Sequence, residues 1–162
     1  GAALITLGAK IQIPFWPVPM TLHTLSVFLV ALTLGPRLGL AAMAAYLGAG
    51  AAGLPVFSGT PERGIGLSYM VGPTGGYLLG YLVAAGLTGW LAMGRGWIGR
   101  VLAMLAGLAV VYAGGLAWLS LFVPAPKLLA AGLTPFLLGD LIKVLLAATL
   151  MSGLSRLKGR DQ

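Results

Sequence analysis

Four long stretches of this chain contain no acidic or basic side chain. They cover residues 11–36, 38–61, 64–94 and 101–126, and they are 26, 24, 31 and 26 residues long. A helix needs about 20 predominantly apolar residues to cross the hydrocarbon core of a bilayer. Each stretch is therefore long enough to span a membrane, and the pattern favours an all-α integral membrane protein.

The composition supports the same class. Hydrophobic residues make up 59% of the 162 residues and charged residues only 8%, against about 25% in a typical soluble domain. A disordered chain is excluded by this apolar content, and the absence of cysteine excludes a disulfide scaffold and a thiolate metal site. The net charge of +7 is spread between apolar runs, apart from a short basic tail. We therefore expect a lipid bilayer as partner and no nucleic acid.

Prolines, glycines and charges divide the chain into six predicted transmembrane helices within one domain, residues 1–162. The predicted spans are residues 1–12, 20–34, 38–53, 74–92, 101–122 and 134–153. The first is too short to cross, and we expect it to be truncated at its N-terminus. The Gly35–Pro36 pair is predicted to end the second span, because a glycine followed by a proline is typical of a helix end.

The distribution of basic residues predicts the orientation in the membrane. With the N-terminus inside, three irregular loops at 10–19, 54–73 and 123–133 lie outside. The inner loops and tail then hold six basic residues, Arg37, Arg95, Arg100, Arg156, Lys158 and Arg160. The outer loops hold three, Lys10, Arg63 and Lys127. The excess of basic residues inside predicts cytoplasmic N- and C-termini in the cytoplasmic membrane.

Asp140 and Lys143 are the only charges well inside a predicted span. Charged groups at membrane depth are costly and usually face a cavity or a partner. Their i, i+3 spacing places both on one face of the helix. Counted from Thr134, they lie about 9 and 13.5 Å along the helix axis, in the outer half of the bilayer. The pair is predicted to line a pocket that opens outward, and the alternative is a structural ion pair.

A glycine-rich turn, residues 71–77, begins the fourth span. Gly75 permits close approach of a ligand, while Thr74 either caps the helix or exposes its hydroxyl. An ordinary capped helix start explains the same residues. The turn lacks the Gly-Lys-Ser/Thr ending of a phosphate loop, so any use of ATP would require another chain.

Histidine occurs once, as His23, which by itself cannot form a zinc site or a nucleophilic triad. It is either a hydrogen-bonded helix residue or part of a pocket. Trp16 lies between two prolines and is either an interfacial anchor or a pocket wall. The sequence gives little support to an enzyme, and we expect neither a metal nor a cofactor.

Five sequence blocks, taken together, resemble the BioY family. That family comprises the biotin-specific substrate-binding (S) components of energy-coupling factor (ECF) transporters. The blocks are PVPMTLHTL at 17–25, LGPRLG at 34–39, GAAGLPVF at 50–57, GPTGGY at 72–77 and GDLIK at 139–143. They occur in the order of the family and extend over most of the chain.

The resemblance implies six helices, a vitamin pocket near the outer surface and tight binding of biotin as substrate. It also implies a complex with a transmembrane T component and two ATPase subunits, although some members are thought to act without them. Many relatives have glutamine where this chain has His23. The small-residue docking motif of the family is not clear in residues 1–6.

The candidate residues match the chemistry of biotin, which has an apolar ring and chain, a ureido group and a carboxylate. Lys143 would pair with the carboxylate or with Asp140, and Asp140 would accept ureido N–H groups or hold Lys143. Further hydrogen bonds would come from Thr74, Tyr77 and the backbone near Gly75. The walls would be formed by Phe57, Tyr69 and Trp16. The alternatives are an S component for another vitamin, a small intramembrane enzyme with Asp140 as base, and a structural subunit.

Overall fold

The computed structural model describes residues 1–13, 20–57 and 66–160 of the chain. Its helices are α1 (Ala2–Lys10), α2 (His23–Ala51), α3 (Leu67–Met70), α4 (Gly75–Leu91), α5 (Trp97–Leu119), α6 (Ala125–Gly132) and α7 (Thr134–Arg160). A short antiparallel ribbon joins β1 (Gln12–Ile13) to β2 (Met20–Thr21). The fold is all-helical apart from this ribbon in the described ranges.

Several helices are long and apolar enough to cross a membrane. By length and composition the helical stretches His23–Ala51, Trp97–Leu119 and Ala125–Leu157 qualify, with mean hydropathies of 1.8, 2.0 and 1.7. The first of them is divided at Gly35, and the last combines α6 with most of α7. Helix α4 is apolar but shorter, with 17 residues. These helices agree with the prediction of an integral membrane protein.

Helix α2 is a hairpin of two helices that meet at Gly35. This glycine has φ +82° and ψ −177°, and Pro36 follows it. A Cβ atom at Gly39 would lie 3.1 Å from the Cα of Ala31, although eight residues of straight helix are about 12 Å long. The chain therefore reverses at Gly35, as predicted. With α2 counted as two, six helical segments of the described chain match the six predicted spans.

Glycines bring α4 and α5 into backbone contact. A Cβ atom at Gly80 would lie 2.8 Å from the Cα of Val111, and one at Gly76 would collide with Trp118 and with the carbonyl of Gly114. Small residues at a helix–helix interface permit such approach, and close packing is a main source of association between helices in lipid. The contact holds the tyrosines of α4 and α5 on two walls of the same space.

The structure corrects three predicted boundaries. Helix α6 lies inside the segment 123–133, which was predicted to be an irregular loop. The two prolines of this segment precede or occupy the first turn of the helix, where a missing N–H is tolerated. Helix α3 lies in the second predicted loop, and α7 continues to Arg160, beyond the predicted end at residue 153.

Candidate functional site

A cavity of about 540 Å³, its open mouth included, lies between α2, α4, α5 and α7. We refer to it as the central cavity. Thirteen described residues line it: Thr21, His23, Thr24, Tyr46, Thr74, Tyr77, Leu78, Tyr81, Val111, Tyr112, Phe136, Asp140 and Lys143. The lining is rich in aromatic rings and contains one acidic and one basic side chain, which is typical of a small-molecule site.

Asp140 and Lys143 form an ion pair in the cavity wall. The Nζ atom of Lys143 lies 3.2 Å from Oδ1 of Asp140, and the two side chains are 18% and 7% exposed. The hydroxyl of Tyr112, on α5, donates a hydrogen bond to Oδ2 of Asp140. Lys143 also donates to the backbone carbonyl of Thr21 at 2.6 Å. The pair therefore links α7 to α5 and to the ribbon, and it lines the cavity.

One face of α4 forms a second wall. Thr74, Tyr77, Leu78 and Tyr81 are spaced by three or four residues, so they share a side of the helix. The hydroxyl of Tyr77 donates to the carbonyl of Gly132 at 2.6 Å, which ties α4 to the end of α6. The hydroxyl of Tyr81 shares a hydrogen bond with that of Thr24 on α2. These bonds fix the two rings in position.

His23 occupies the first turn of α2, and its side chain is 5% exposed. Its backbone N–H donates to the hydroxyl oxygen of Thr21 at 3.1 Å. Its ring lies 5.2 Å from the ring of Tyr46 and 4.5 Å from that of Tyr81, centroid to centroid. The Nε2 atom is buried and has no hydrogen-bond partner among the described residues. His23 lines the cavity, and no described residue supplies a hydrogen bond to this nitrogen.

Of the nine predicted site residues, five line the cavity: Asp140, Lys143, Thr74, Tyr77 and His23. Gly75 does not line it. A Cβ atom at Gly75 would overlap the carbonyl oxygen of Met70 and lie 3.1 Å from Nε1 of Trp118. The close approach that this glycine permits is therefore to the protein itself, through the packing of α4 on α3 and α5.

The predicted aromatic walls lie one layer further out. Phe57 and Tyr69 are buried and stack on each other, with centroids 4.9 Å apart and an interplanar angle of 14°. Phe57 also meets Tyr46 edge to face at 5.4 Å. Tyr46 lines the cavity, so these two rings support a wall residue without reaching the cavity. Trp16 lies outside the described residues.

Eight lining residues were not predicted: Thr21, Thr24, Tyr46, Leu78, Tyr81, Val111, Tyr112 and Phe136. Two of them had a usable signal, because Tyr81 follows Tyr77 by one helical turn and Thr24 adjoins His23. Tyr112 had none, since nothing local pairs a tyrosine of α5 with an aspartate 28 residues later. No group of three metal-ligating side chains occurs in the described part of the chain.

Comparison with known proteins identifies the family. The model of the BioY family matches residues 1–160. The biotin transporter BioY of Thermotoga maritima is 42% identical over 158 residues, covering 96% of this chain and 92% of that protein. The probable biotin transporter BioY of Pyrococcus horikoshii is 40% identical over 157 residues, covering 97% and 91%.

A solved structure extends the match to three dimensions. It is the 2.1 Å crystal structure of the S-component for biotin from an ECF-type ABC transporter, with a TM-score of 0.82 and 29% sequence identity. The alignment covers 96% of this chain and 86% of that one. On the family match, the relatives and the shared fold, this chain belongs to the BioY family.

Proposed function

We propose that this multi-pass membrane protein binds biotin in the central cavity and serves as the S component of an ECF-type transporter. The observation that carries the proposal is the Asp140–Lys143 pair lining a cavity, in a fold shared with an S-component for biotin. Residues 1–162 would form one substrate-binding domain. The protein would deliver its ligand unchanged, as a transporter rather than an enzyme.

The polar groups of the pair have capacity left for a ligand. The ammonium group of Lys143 has three N–H donors; Asp140 and the Thr21 carbonyl take one each. The third donor is available to the carboxylate of biotin. The carboxylate of Asp140 accepts from Tyr112 and Lys143, and its remaining lone pairs can accept an N–H group.

The apolar groups of the cavity suit the rest of the ligand. Leu78, Val111 and Phe136 line it together with the tyrosine rings. Removing the bicyclic ring and the pentanoate chain of biotin from water against these side chains would supply most of the binding free energy, while the polar groups fix the orientation. Thr74 and Tyr77 lie at the α4 wall and offer further hydroxyl groups.

Biotin binding is tested by calorimetric titration of the purified, ligand-stripped protein in detergent. Dethiobiotin, thiamin and riboflavin serve as comparison ligands. Saturable one-to-one binding of biotin, with no heat from thiamin or riboflavin, is the expected result. A folded protein that binds thiamin or riboflavin instead would place this chain among S components for another vitamin. A folded protein that binds none of the four would refute the proposal.

We further propose that the protein works with a T component and two ATPase subunits. The sequence carries no Walker-type phosphate loop, so energy from ATP would come through other chains. Co-expression with these subunits, followed by affinity purification through this chain, should recover a complex. Biotin uptake by vesicles that contain this chain alone, equal to uptake with all subunits present, would contradict the requirement.

Both termini are proposed to be cytoplasmic. Arg100 donates to the hydroxyls of Ser152 and Ser155 at 3.3 and 3.2 Å, so predicted inner residues meet at one end of the bundle. Lys10 donates to the carbonyl of Phe57 at 2.8 Å, so two predicted outer segments also meet.

The chain has no cysteine, so single-cysteine variants report orientation without background. In intact cells, Lys127→Cys should react with an impermeant maleimide and Arg95→Cys should not. The reverse labelling would contradict the orientation.

A further inference from the structure

His23 lines the central cavity, and its Nε2 atom is buried without a hydrogen-bond partner among the described residues. We propose that this atom hydrogen-bonds the ureido group of the ligand and thereby determines specificity for it. The inference rests on the proposed function, because it names the part of biotin that a particular atom reads. It also gives His23 a role different from that of the Asp140–Lys143 pair, whose groups already bond to one another.

Several other polar side chains of the wall bond to groups of the protein. Both carboxylate oxygens of Asp140 accept hydrogen bonds, one from Tyr112 and one from Lys143. The hydroxyl of Tyr77 donates to a backbone carbonyl, and the hydroxyls of Tyr81 and Thr24 bond to each other. Each of these groups has a hydrogen-bond partner in the protein without a ligand, so none of them depends on a ligand for its first hydrogen bond.

His23 differs from them in this respect. Its Nε2 atom is the only buried side-chain nitrogen or oxygen without a hydrogen bond among the residues that the structure describes. Burying a polar atom without a partner is unfavourable, because the atom has given up its hydrogen bonds to water. Its side chain lines the central cavity. A polar group of a bound ligand is therefore the natural partner for this atom.

The position of the ring is fixed from two directions. The backbone N–H of His23 bonds to the hydroxyl oxygen of Thr21, which anchors the start of α2. The rings of Tyr46 and Tyr81 pack against the imidazole, with centroids 5.2 and 4.5 Å away. A group held between two rings presents its nitrogen in a defined direction, which favours recognition of a rigid ligand group over a flexible one.

The chemistry of the atom favours the ureido end of biotin. In a neutral imidazole one ring nitrogen donates and the other accepts, according to the tautomer. A cyclic urea offers both N–H donors and a carbonyl acceptor, so it matches Nε2 in either tautomer. A carboxylate only accepts, and the free N–H of Lys143 already supplies a charged donor for it. The assignment therefore places the ureido ring at His23 and the carboxylate at Lys143.

Three substitutions distinguish the contribution of the nitrogen atom to biotin binding from that of the ring. His23→Phe keeps an aromatic ring between Tyr46 and Tyr81 but removes Nε2. His23→Gln places an amide close to the position of Nε2, whereas His23→Asn places it close to that of Nδ1. We expect His23→Phe and His23→Asn to weaken biotin binding about tenfold or more, and His23→Gln to remain within about threefold of the wild type.

Two biotin analogues identify the ligand group that His23 recognises. One is biotin amide, in which the carboxylate is replaced; the other is the thiolane pentanoic acid that lacks the urea ring. The loss caused by His23→Phe should be as large for biotin amide as for biotin, and should fall to about twofold or less for the analogue without the urea ring. A purely structural effect of the substitution would lower the affinity for all three ligands by the same factor.

The outcomes are distinguishable from failure of the proposed function. If the wild type does not bind biotin, the proposed function itself fails. If the wild type binds and folded His23→Phe binds equally well, or loses the same factor for every ligand, only the role of His23 is overturned. If His23→Phe does not fold, the glutamine and asparagine variants decide, and equal loss of biotin affinity in both overturns the role.

Discussion

The ion pair between Lys143 and Asp140 allows stability and ligand binding to be separated. Lys143→Met removes two hydrogen bonds of the ammonium group, 3.2 Å to Asp140 and 2.6 Å to the Thr21 carbonyl. It leaves a carboxylate, 7% exposed at its side chain, with Tyr112 as its partner among the described residues. An unpaired buried charge costs about 3–5 kcal/mol of folding free energy. We therefore expect a clearly lower unfolding temperature in detergent.

The double variant Asp140→Asn/Lys143→Met removes both charges and with them the unpaired carboxylate. Because replacing a whole buried pair is often close to neutral, its unfolding temperature should recover most of the loss. Biotin affinity should not recover. Each single variant and the double variant should bind at least tenfold more weakly than the wild type, which corresponds to about 1.4 kcal/mol or more.

The assay combines thermal unfolding with calorimetric titration on the same detergent preparations. Thr149→Ala, on the exposed side of the C-terminal half of α7, is the control and should leave affinity unchanged. If the folded double variant bound biotin with wild-type affinity, the pair would be structural and the argument for the site would fail. If Lys143→Met unfolded at the wild-type temperature, the claim that this pair offsets a buried charge would be refuted.

Four further substitutions, one of them a matched control, test the surroundings of the site and the fold that positions it. Tyr112→Phe removes the hydroxyl that holds Asp140 and should lower stability by about 1–3 kcal/mol and biotin affinity several-fold, measured by the same two assays; unchanged values would contradict the network. Gly80→Val would press into the backbone of α5, since even a Cβ atom lies 2.8 Å from the Cα of Val111, and should cost about 1–3 kcal/mol in thermal unfolding. The Cβ atom of Gly35→Ala would meet no neighbouring atom, but the residue must adopt φ +82°, so the substitution should destabilise the protein by about 1–2 kcal/mol. Gly48→Ala also has open space but lies in a regular helix, so it should be neutral or stabilising. Equal effects of the two substitutions would contradict the hairpin at Gly35.

Much of the fold follows from local features of the sequence. Charges and prolines separate the apolar runs, and each run must form a helix because lipid offers its backbone no hydrogen bonds. The reversal at Gly35 was predictable since a glycine and a proline coincide there. Helix α6 was not predicted, although its prolines are compatible with a helix because they precede or occupy its first turn. Local sequence rules allow both a loop and a helix in such a segment, and tertiary packing decides between them.

The site was most predictable where a residue is costly in lipid. Asp140 and Lys143 stand out because a charge within an apolar helix needs a partner. Tyr112 and Tyr46 do not, since a tyrosine in an apolar run is common and its partner lies on another helix. Gly75 was interpreted as permitting ligand approach, whereas the structure uses its small size for packing against Met70 and Trp118. The sequence shows that a close approach occurs but not which group approaches.

The central claim is that biotin binds in the central cavity between His23 and Lys143. The most direct measurement is a crystal structure of the protein with biotin, taken from a preparation in which titration shows one site. The account predicts ligand density between α2, α4, α5 and α7, with the ureido group within hydrogen-bond distance of Nε2 of His23 and the carboxylate within reach of Nζ of Lys143. Biotin located elsewhere, with the cavity unoccupied by ligand, would contradict the account.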